Sequence, residues 1–262
     1  MDDLALALQL ADIADQLSLA RFRASDLVID SKPDLTPVSD ADKKIEQLIR
    51  QHLLKVSPDD GVIGEEFEKK VSTNNREWIL DPIDGTKNYI RGVPIWATLI
   101  ALRQNNQITC TVVSAPAINR RWYASKGEGA YIVENILGKE EKRKLKVSAV
   151  SKISDASFAF AEVIKNDNWE GYYDKFLKLT NDVWRSRGFG DFWGHMLVAE
   201  GAVDIAIEPK MALWDMAALY LIIKEAGGSF TNLNGADGVD GPGAISSNTL
   251  LHKELLTRFA GA

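Results

Sequence analysis

The sequence has little cysteine, little histidine and no long hydrophobic run. Its single cysteine, Cys110, lies in the apolar segment ITCTVV, so an intrachain disulfide framework is excluded and a buried thiol is expected. The three histidines lack HxxxH spacing, which argues against a zinc site or a Ser-His-Asp triad. No apolar run approaches the ~20 residues that span a bilayer, and acids stand where a signal peptide carries lysine or arginine. We therefore expect a cytoplasmic protein without a membrane segment.

The chain also lacks an excess of positive charge. Its 262 residues include 31 Lys and Arg against 37 Asp and Glu, for a formal net charge of −6. This balance argues against broad binding to nucleic acid or to a membrane surface. An enzyme of this charge that held an anionic phosphate would need bound divalent cations. An apolar content of 45% allows a sizeable core, in one large α/β domain or two packed lobes.

Hydrophobic periodicity predicts layered α and β elements. Apolar residues recur at helical spacing over 3–20 and 41–56. The strands predicted next are 61–64, 77–80, 95–102, 107–114, 120–124 and 129–133. After a lysine-rich connector, GKEEKRKLKV, the predicted elements are strand 157–162, helix 169–180, strand 182–187, helix 191–200, strand 203–207, helix 213–225, strand 243–247 and a terminal helix. We predict one domain over 1–262, with a sheet-rich lobe of about 1–148 and an α/β lobe of about 149–262.

The segment WILDPIDGT places two aspartates three residues apart at the end of an apolar strand. Proline fixes the backbone between the acids, so Asp81 and Asp84 can point into one cleft. Gly85 and Thr86 can open a short helix whose free N–H groups face a phosphate. A strand-ending turn with solvated acids is the alternative for a DxxD pattern alone. The apolar lead-in and the Gly-Thr ending favour a metal and phosphate site.

Further acids follow predicted elements elsewhere in the chain. Glu65 and Glu66 follow a strand-like run, Asp42 lies in the first turn of the second helix, and Asp215 begins an apolar helix. Taken singly, they are explained by solvated loops or helix capping. Brought to one site, such carboxylates repel by roughly 4 kcal/mol per pair at ~4 Å and an effective dielectric of ~20. Bound cations would remove this cost, and oxygen ligands select Mg²⁺, Mn²⁺ or Ca²⁺. Two such ions suit the hydrolysis of a phosphate monoester.

Four segments, WILDPIDGT, GEE, SDAD and WDMAALYLIIKEAGG, resemble in order and spacing the signatures of the inositol monophosphatase family. The resemblance covers nearly the whole chain. It implies an α/β fold that is a layered αβαβα sandwich of the inositol monophosphatase and sugar-phosphatase type. It also implies two or three Mg²⁺ ions, for which Mn²⁺ can substitute, and a homodimer.

The resemblance assigns site residues by motif position. The implied metal ligands are Glu65, Asp81, the carbonyl of Ile83, Asp84, Asp215 and, for a weaker third ion, Asp42. Glu65, Thr86 and Asp42 are the implied catalytic residues, with water attacking phosphorus near Glu65 and Thr86 and no covalent phosphoenzyme. The implied substrate-binding residues are Asp84, Gly85, Thr86, Asp191, Glu208 and Arg187. Lys32 resembles a family lysine near this site and is expected to be a helper.

Several segments, among them RGVPIWATLIAL, SAPAINRRWYA and WRSRGFGDFWGHMLVAEGAVDIAIEP, resemble the histidinol-phosphate phosphatases of this family rather than its inositol-specific members. Asp191 and Glu208 would face the alcohol part of the substrate. Two carboxylates suit a substrate with an ammonium and an imidazole, whereas inositol offers neutral hydroxyls. The alternatives are a helix N-cap for Asp191, compatible with substrate contact, and a solvated turn acid for Glu208.

The same residues give less support to other functions. IDGT also resembles the DxDGT loop of haloacid-dehalogenase phosphatases, but Pro82 stands where their nucleophilic aspartate is needed. An inactive, ligand-binding or regulatory family member would have lost metal ligands, and none of the matched acids is missing. Inositol-1-phosphate, fructose-1,6-bisphosphate and a nucleotide 3′-phosphate remain alternative substrates. The sequence predicts a Mg²⁺-dependent phosphate monoester hydrolase that acts on histidinol phosphate.

Overall fold

A computed structural model describes residues 2–33 and 35–259, so Met1, Asp34 and 260–262 of the predicted domain lie outside the described residues. The helices are α1 (Asp3–Arg21), α2 (Asp40–Val56), α3 (Thr86–Ile90), α4 (Tyr173–Asp182), α5 (Asp191–Ala199), α6 (Leu213–Glu225) and α7 (Thr249–Phe259). The strands are β1 (Ile29–Ser31), β2 (Pro37–Ser39), β3 (Gly61–Gly64), β4 (Arg76–Asp84), β5 (Ala97–Gln104), β6 (Gln107–Ala115), β7 (Arg120–Ser125), β8 (Gly129–Ile136), β9 (Lys139–Lys144), β10 (Ser157–Phe160), β11 (Arg185–Gly188), β12 (Ile205–Glu208), β13 (Gly228–Thr231) and β14 (Ala244–Asn248).

Two large sheets organise these elements into five layers. The first sheet has seven strands in the order β3-β4-β5-β6-β7-β8-β9, and the second has five in the order β11-β10-β12-β14-β13. Helices α1 and α2 pack on the outer face of the first sheet, α5 and α6 lie between the sheets, and α4 and α7 cover the far face of the second. This arrangement confirms the αβαβα sandwich.

The central strands are apolar on both faces because both faces are covered. In β4, Trp78 belongs to the cluster beneath α1 and α2, whereas its neighbour Ile79 belongs to the cluster beneath α6. This is the two-residue alternation of an extended strand. Helix α6 is apolar on nearly all sides, as expected for a helix buried between two sheets. Its first turn, which carries Asp215, is thereby fixed against the first sheet.

Some predicted boundaries were wrong. The lysine-rich segment predicted as a connector contains β9, an exposed edge strand paired antiparallel to β8. Its side chains are all charged, so the segment lacks the apolar alternation by which strands are predicted. Lysines are common on exposed edge strands, where they prevent pairing with another chain. Strand β13, which was not predicted, starts at Gly228, the second glycine of the pair that follows α6. Helix α4 begins four residues later than predicted, at Tyr173 rather than 169. The division into lobes near residue 148 stays a prediction.

Within 2–33 and 35–259, none of the helices has both the length and the apolar character that crossing a membrane requires.

Candidate active site

Strand β4 ends in an irregularity that turns two acids toward one cavity. Its pairing with β5 is regular up to Asp81 and shifts before it resumes at Asp84. Residues three apart on a regular strand face opposite sides, so the shift lets both side chains face the same way. Pro82 has no N–H to donate to the ladder, and its carbonyl accepts a hydrogen bond from Thr98 Oγ1 at 2.8 Å. The Asp-Pro-Ile-Asp order is therefore the local cause of the convergence.

Asp81, Asp84 and Asp215 form a compact carboxylate cluster. One oxygen of each lies within 4.8 Å of one from each of the others. Asp84 Oδ2 accepts the backbone N–H of Phe192 at 2.7 Å, and Asp215 Oδ2 accepts that of Ala212 at 2.7 Å. The cluster thus joins β4 of the first sheet to the starts of α5 and α6, and it brings together three of the residues predicted as metal ligands.

The electrostatics of this cluster fit a divalent cation. Burial, and then the charges of Glu65, Asp84 and Asp215, raise the pKa of Asp81 well above its ordinary value. Burial and the neighbouring Asp191 and Asp215 do the same to the pKa of Asp84, and burial raises that of Asp215 to about 7. Without a cation the folded protein therefore holds protons here. Oxygen-only donors with several negative charges match the preferences of Mg²⁺ and Mn²⁺.

Glu65 enters the same cavity from the end of β3. Lys32 Nζ donates to Oε1 of Glu65 at 2.6 Å and to Oε1 of Glu66 at 2.7 Å, which supports the expected helper role of the lysine. The buried Glu46 accepts the N–H of Glu66 at 2.9 Å, and a side chain at Gly64 would overlap its carboxylate. The sequence reasoning missed Glu46, although an acid on the buried face of an amphipathic helix is a detectable signal.

Asp42 lies beside the cavity rather than in its wall. Its Oδ2 accepts the N–H of Ser39 at 2.9 Å and the hydroxyl of Ser39 at 2.5 Å, so it caps α2. Thr86 Oγ1 lies 2.9 Å from the carbonyl oxygen of Ile83 and 3.3 Å from Oδ1 of Asp42. Asp42 is thus a capping residue that also orients Thr86. The role of Asp42 as a ligand of a third ion stays a prediction. The role of the Ile83 carbonyl as a metal ligand stays a prediction as well.

The short helix predicted after the DxxD pattern is present. It begins at Thr86 and its cap, Gly85, has a φ of +84°, in the left-handed region that glycine enters without strain. Gly85 and Thr86 both line the cavity, and the first N–H groups of a helix have no partner within it. This geometry supports the predicted phosphate contact.

Asp191 and Glu208 line the same cavity, beside Asp84 and Asp215. Asp191 Oδ2 accepts a hydrogen bond from Asn88 Nδ2 at 3.2 Å. Its φ of +46° is unusual for a residue with a side chain, although aspartate tolerates it better than most. Burial, reinforced by the charge of Glu208, raises the pKa of Asp191 to about 7. The N-cap alternative is wrong, because Gly190 occupies the cap of α5 and Asp191 is its first helical residue.

Arg187, like Asp42, is a predicted site residue that the structure leaves outside the lining of the cavity. It lies on β11, its side chain is exposed, and its Nη1 donates to the carbonyl of Ser186 at 2.7 Å. Its role in substrate binding stays a prediction. The sequence reasoning also missed Asn88, which holds Asp191 and gave no signal before the two halves were assembled.

The cavity has a volume of about 280 Å³, enough for a small monoester. The acids in its lining are Glu65, Asp81, Asp84, Glu162, Asp191, Glu208 and Asp215. Lys87 and Lys210 stand at the same wall and pair with Glu162 at 2.7 Å and Asp167 at 2.8 Å. The site is therefore a carboxylate-rich pocket with basic groups at its edge.

A five-layer sandwich with this acidic pocket defines a class of metal-dependent phosphatases, and residues 2–261 match the Inositol monophosphatase family. The chain belongs to that family. It is 51% identical over 260 residues to the histidinol-phosphatase of Mycobacterium tuberculosis, covering 98% of each chain. It is also 51% identical to the histidinol-phosphatase of Streptomyces coelicolor, over 98% of this chain and 96% of that one. Among solved structures, the extragenic suppressor protein suhB of Bartonella henselae superimposes with a TM-score of 0.87 at 27% identity, covering 98% of both chains.

Proposed function

We propose that this protein is a Mg²⁺-dependent histidinol-phosphatase, which hydrolyses histidinol phosphate to histidinol and phosphate. The observation that carries the proposal is one cavity that holds a carboxylate cluster and two further acids beside it. Asp81, Asp84 and Asp215 form the cluster suited to a metal, whereas Asp191 and Glu208 line the same cavity and lie outside that cluster. The names of the relatives at 51% identity support the same substrate.

The residues of the chain suggest how the reaction is organised. Asp81, Asp84 and Asp215 would hold Mg²⁺, which would supply an activated water and neutralise charge on the phosphate. Gly85 and Thr86 donate N–H groups toward the phosphate oxygens. Thr86 is oriented through Ile83 and Asp42, and Glu65, held by Lys32, faces the cavity where it can accept a proton from the attacking water. No side chain is required to form a covalent bond to phosphorus.

Asp191 and Glu208 discriminate between substrates by charge. Histidinol phosphate carries an ammonium and an imidazole, and hydrogen bonds to charged groups contribute ~1.5–3 kcal/mol each. Inositol would place neutral hydroxyls against two carboxylates that already repel each other, as the raised pKa of Asp191 indicates. Asp191 and Glu208 therefore favour the cationic alcohol.

The test is phosphate release from histidinol phosphate and from inositol-1-phosphate under identical conditions, with Mg²⁺ and with EDTA. We expect a Mg²⁺-dependent preference of at least tenfold in kcat/KM for histidinol phosphate, corresponding to ~1.4 kcal/mol. A preference for inositol-1-phosphate would keep the metal site and refute the substrate. Absence of turnover on either, with folded protein, would favour a non-catalytic binding role.

We also propose the finer properties of the family: two or three bound Mg²⁺ ions, replaceable by Mn²⁺, and a cytoplasmic homodimer. Metal titration by calorimetry would give the number of ions. Sedimentation would test the dimer, which should have twice the 29.0 kDa of the chain.

A further inference from the structure

A fully buried histidine stands directly behind the substrate end of the cavity. His195 lies on α5, between the two sheets, with its ring centroid 5.9 Å from that of Phe230. Its Nδ1 lies 2.8 Å from the hydroxyl oxygen of Ser246 on β14. Its Nε2 lies 3.3 Å from Oε1 of Glu208 and has no aligned hydrogen-bond partner among the described residues. One ring nitrogen is thus anchored and the other faces the cavity wall.

The surroundings decide which nitrogen carries the proton. A neutral imidazole has one donor and one acceptor nitrogen. If Nδ1 carried the only proton, the bare Nε2 would face a carboxylate oxygen, and two acceptors would oppose each other. The opposite arrangement lets the Ser246 hydroxyl donate to Nδ1 and places the proton on Nε2, the ring nitrogen nearer to Glu208.

Glu208 has reason to need such an anchor. Its side chain is 15% exposed and lines the cavity at the end of β12. A glutamate side chain has several rotatable bonds and loses rotamer entropy when it is fixed. The neighbouring Asp191 repels it further, as the pKa of Asp191 records. A polar N–H at Nε2, 3.3 Å from Oε1, attracts the carboxylate electrostatically and so offsets this repulsion.

We propose that His195, held by Ser246, is a positioning residue that fixes the Glu208 carboxylate as the acceptor for the cationic end of the substrate. The inference rests on the proposed function and deepens it, because it assigns substrate selection to a residue that touches no substrate. It predicts that His195 affects the alcohol end of the site and not the phosphate end. A purely structural histidine would affect both ends alike.

Two substitutions at the same position separate these roles. A glutamine amide reaches about as far as Nε2, whereas an asparagine amide reaches only about as far as Nδ1. His195→Gln therefore keeps a donor facing Glu208, and His195→Asn keeps only the group facing Ser246. We expect His195→Asn to raise the KM for histidinol phosphate ~10-fold at nearly unchanged kcat, because the polar N–H nearest Oε1 of Glu208 is lost. His195→Gln should restore KM to within about threefold of the wild type.

The controls are a second substrate and a second background. With p-nitrophenyl phosphate, which lacks a cationic end, both variants should keep kcat/KM within about twofold of the wild type. In a Glu208→Gln background, His195→Asn should raise the KM for histidinol phosphate by less than about a further twofold. An effect transmitted through Glu208 vanishes when that carboxylate is gone. Thermal unfolding in the presence of Mg²⁺ checks that each variant is folded. If His195→Asn does not fold, Ser246→Ala, which frees Nδ1, should raise the same KM and spare the aryl phosphate.

The outcomes distinguish this inference from the function on which it rests. Equal losses on both substrates, failure of glutamine to restore KM, or full additivity with Glu208→Gln would overturn the positioning role while leaving a wild-type preference for histidinol phosphate intact. A wild-type enzyme without that preference would overturn the proposed function, and the selection role of His195 with it.

Discussion

At the scale of single residues, the acids of the cavity differ in what they do, although they share one chemistry. Asp81 is nearly inaccessible and its Oδ1 accepts the N–H of Ile83 at 3.0 Å. Asparagine at this position keeps the shape and an acceptor oxygen while it removes the charge. We expect Asp81→Asn to lower kcat at least ~100-fold, because metal-assisted charge stabilisation contributes several kcal/mol and each 1.36 kcal/mol is a factor of ten.

The same variant should fold normally, because removing one of several mutually repelling buried charges relieves the metal-free protein. Steady-state kinetics measure kcat, titration calorimetry measures the affinity for Mg²⁺, and thermal unfolding measures Tm. Asp174→Asn, at an exposed aspartate on α4, is the matched control and should change none of them. Turnover above a few per cent of the wild type in Asp81→Asn would contradict a ligand role.

Asp191 should act on the substrate and not on the metal. Asp191→Ala removes one of the two carboxylates at the alcohol end and leaves Asp81, Asp84 and Asp215 in place. We expect kcat/KM for histidinol phosphate to fall ~10- to 100-fold, the range for one lost charge-assisted hydrogen bond, while that for p-nitrophenyl phosphate changes less than about threefold. Comparable losses on the two substrates would instead indicate that the variant disturbs Asp84, whose Oδ2 is held by the adjacent N–H of Phe192.

At the scale of elements, the turn from β4 into α3 concentrates the site. A Cβ at Gly85 would lie 3.1 Å from Oδ2 of Asp191 and 3.1 Å from the carbonyl of Ile95, and the φ of +84° adds strain. Gly85→Ala should therefore push the Asp191 wall outward and lower kcat/KM for histidinol phosphate at least ~10-fold. The left-handed backbone alone costs about 1–2 kcal/mol for a residue with a Cβ.

A second glycine isolates the backbone cost from the close contact. Gly127 has a nearly identical φ of +83°, and a Cβ there would meet nothing within 4 Å. Gly127→Ala should lower Tm about as much as Gly85→Ala and leave kinetics unchanged. Equal kinetics in the two variants would show that the approach of Asp191 to Gly85 is unimportant.

Elements also explain what the sequence could predict and what it could not. The strand and the short helix around Asp81 and Asp84 are encoded locally, by an apolar run, a proline and a glycine, so the sequence predicted them, whereas the shift in pairing between the two acids was not predicted. Strand β9 is charged throughout and owes its conformation to pairing with β8, which no local pattern reveals. The anchors Glu46, Asn88 and His195 contact residues far away in the sequence, and only the packed layers bring them to the acids that they hold.

At the scale of the whole molecule, the site lies where the two halves of the sandwich meet, and the carboxylates Asp81, Asp84, Asp191 and Asp215 at this boundary are called the seam. Asp81 and Asp84 come from the first sheet, whereas Asp191 and Asp215 come from helices that pack against it from the second half. Packing the five layers therefore brings like charges together, and their electrostatic repulsion destabilises the folded protein at the site. The stability of the molecule should consequently depend on what neutralises the seam.

The pH dependence of stability follows from the raised pKa values. Burial raises the pKa of both Asp191 and Asp215 from an ordinary value of 3.8 to about 7 in the metal-free protein. The folded state thus binds these protons more tightly than the unfolded state, so their contribution to stability is complete below pH 3.8 and is lost as pH rises through about 7. With EDTA, we expect Tm to fall from pH 5 to pH 8 by roughly 10–20 °C, since each of the two groups loses about two pKa units, each unit is worth ~1.4 kcal/mol and each kcal/mol ~2–4 °C in a chain of this size.

Mg²⁺ should reverse this loss where the carboxylates are ionised. At 100 times its Kd, a ligand of the folded state stabilises by ~2.7 kcal/mol, so Tm at pH 8 should rise by roughly 5–10 °C. At pH 5 the same concentration should raise Tm much less, because the ion must displace protons. Calorimetric scans at constant ionic strength, with NaCl replacing MgCl₂, separate site binding from screening. Asp215→Asn should flatten the pH dependence in EDTA, and a Mg²⁺-induced shift of equal size at pH 5 and pH 8 would mean that protons and metal do not compete for this seam.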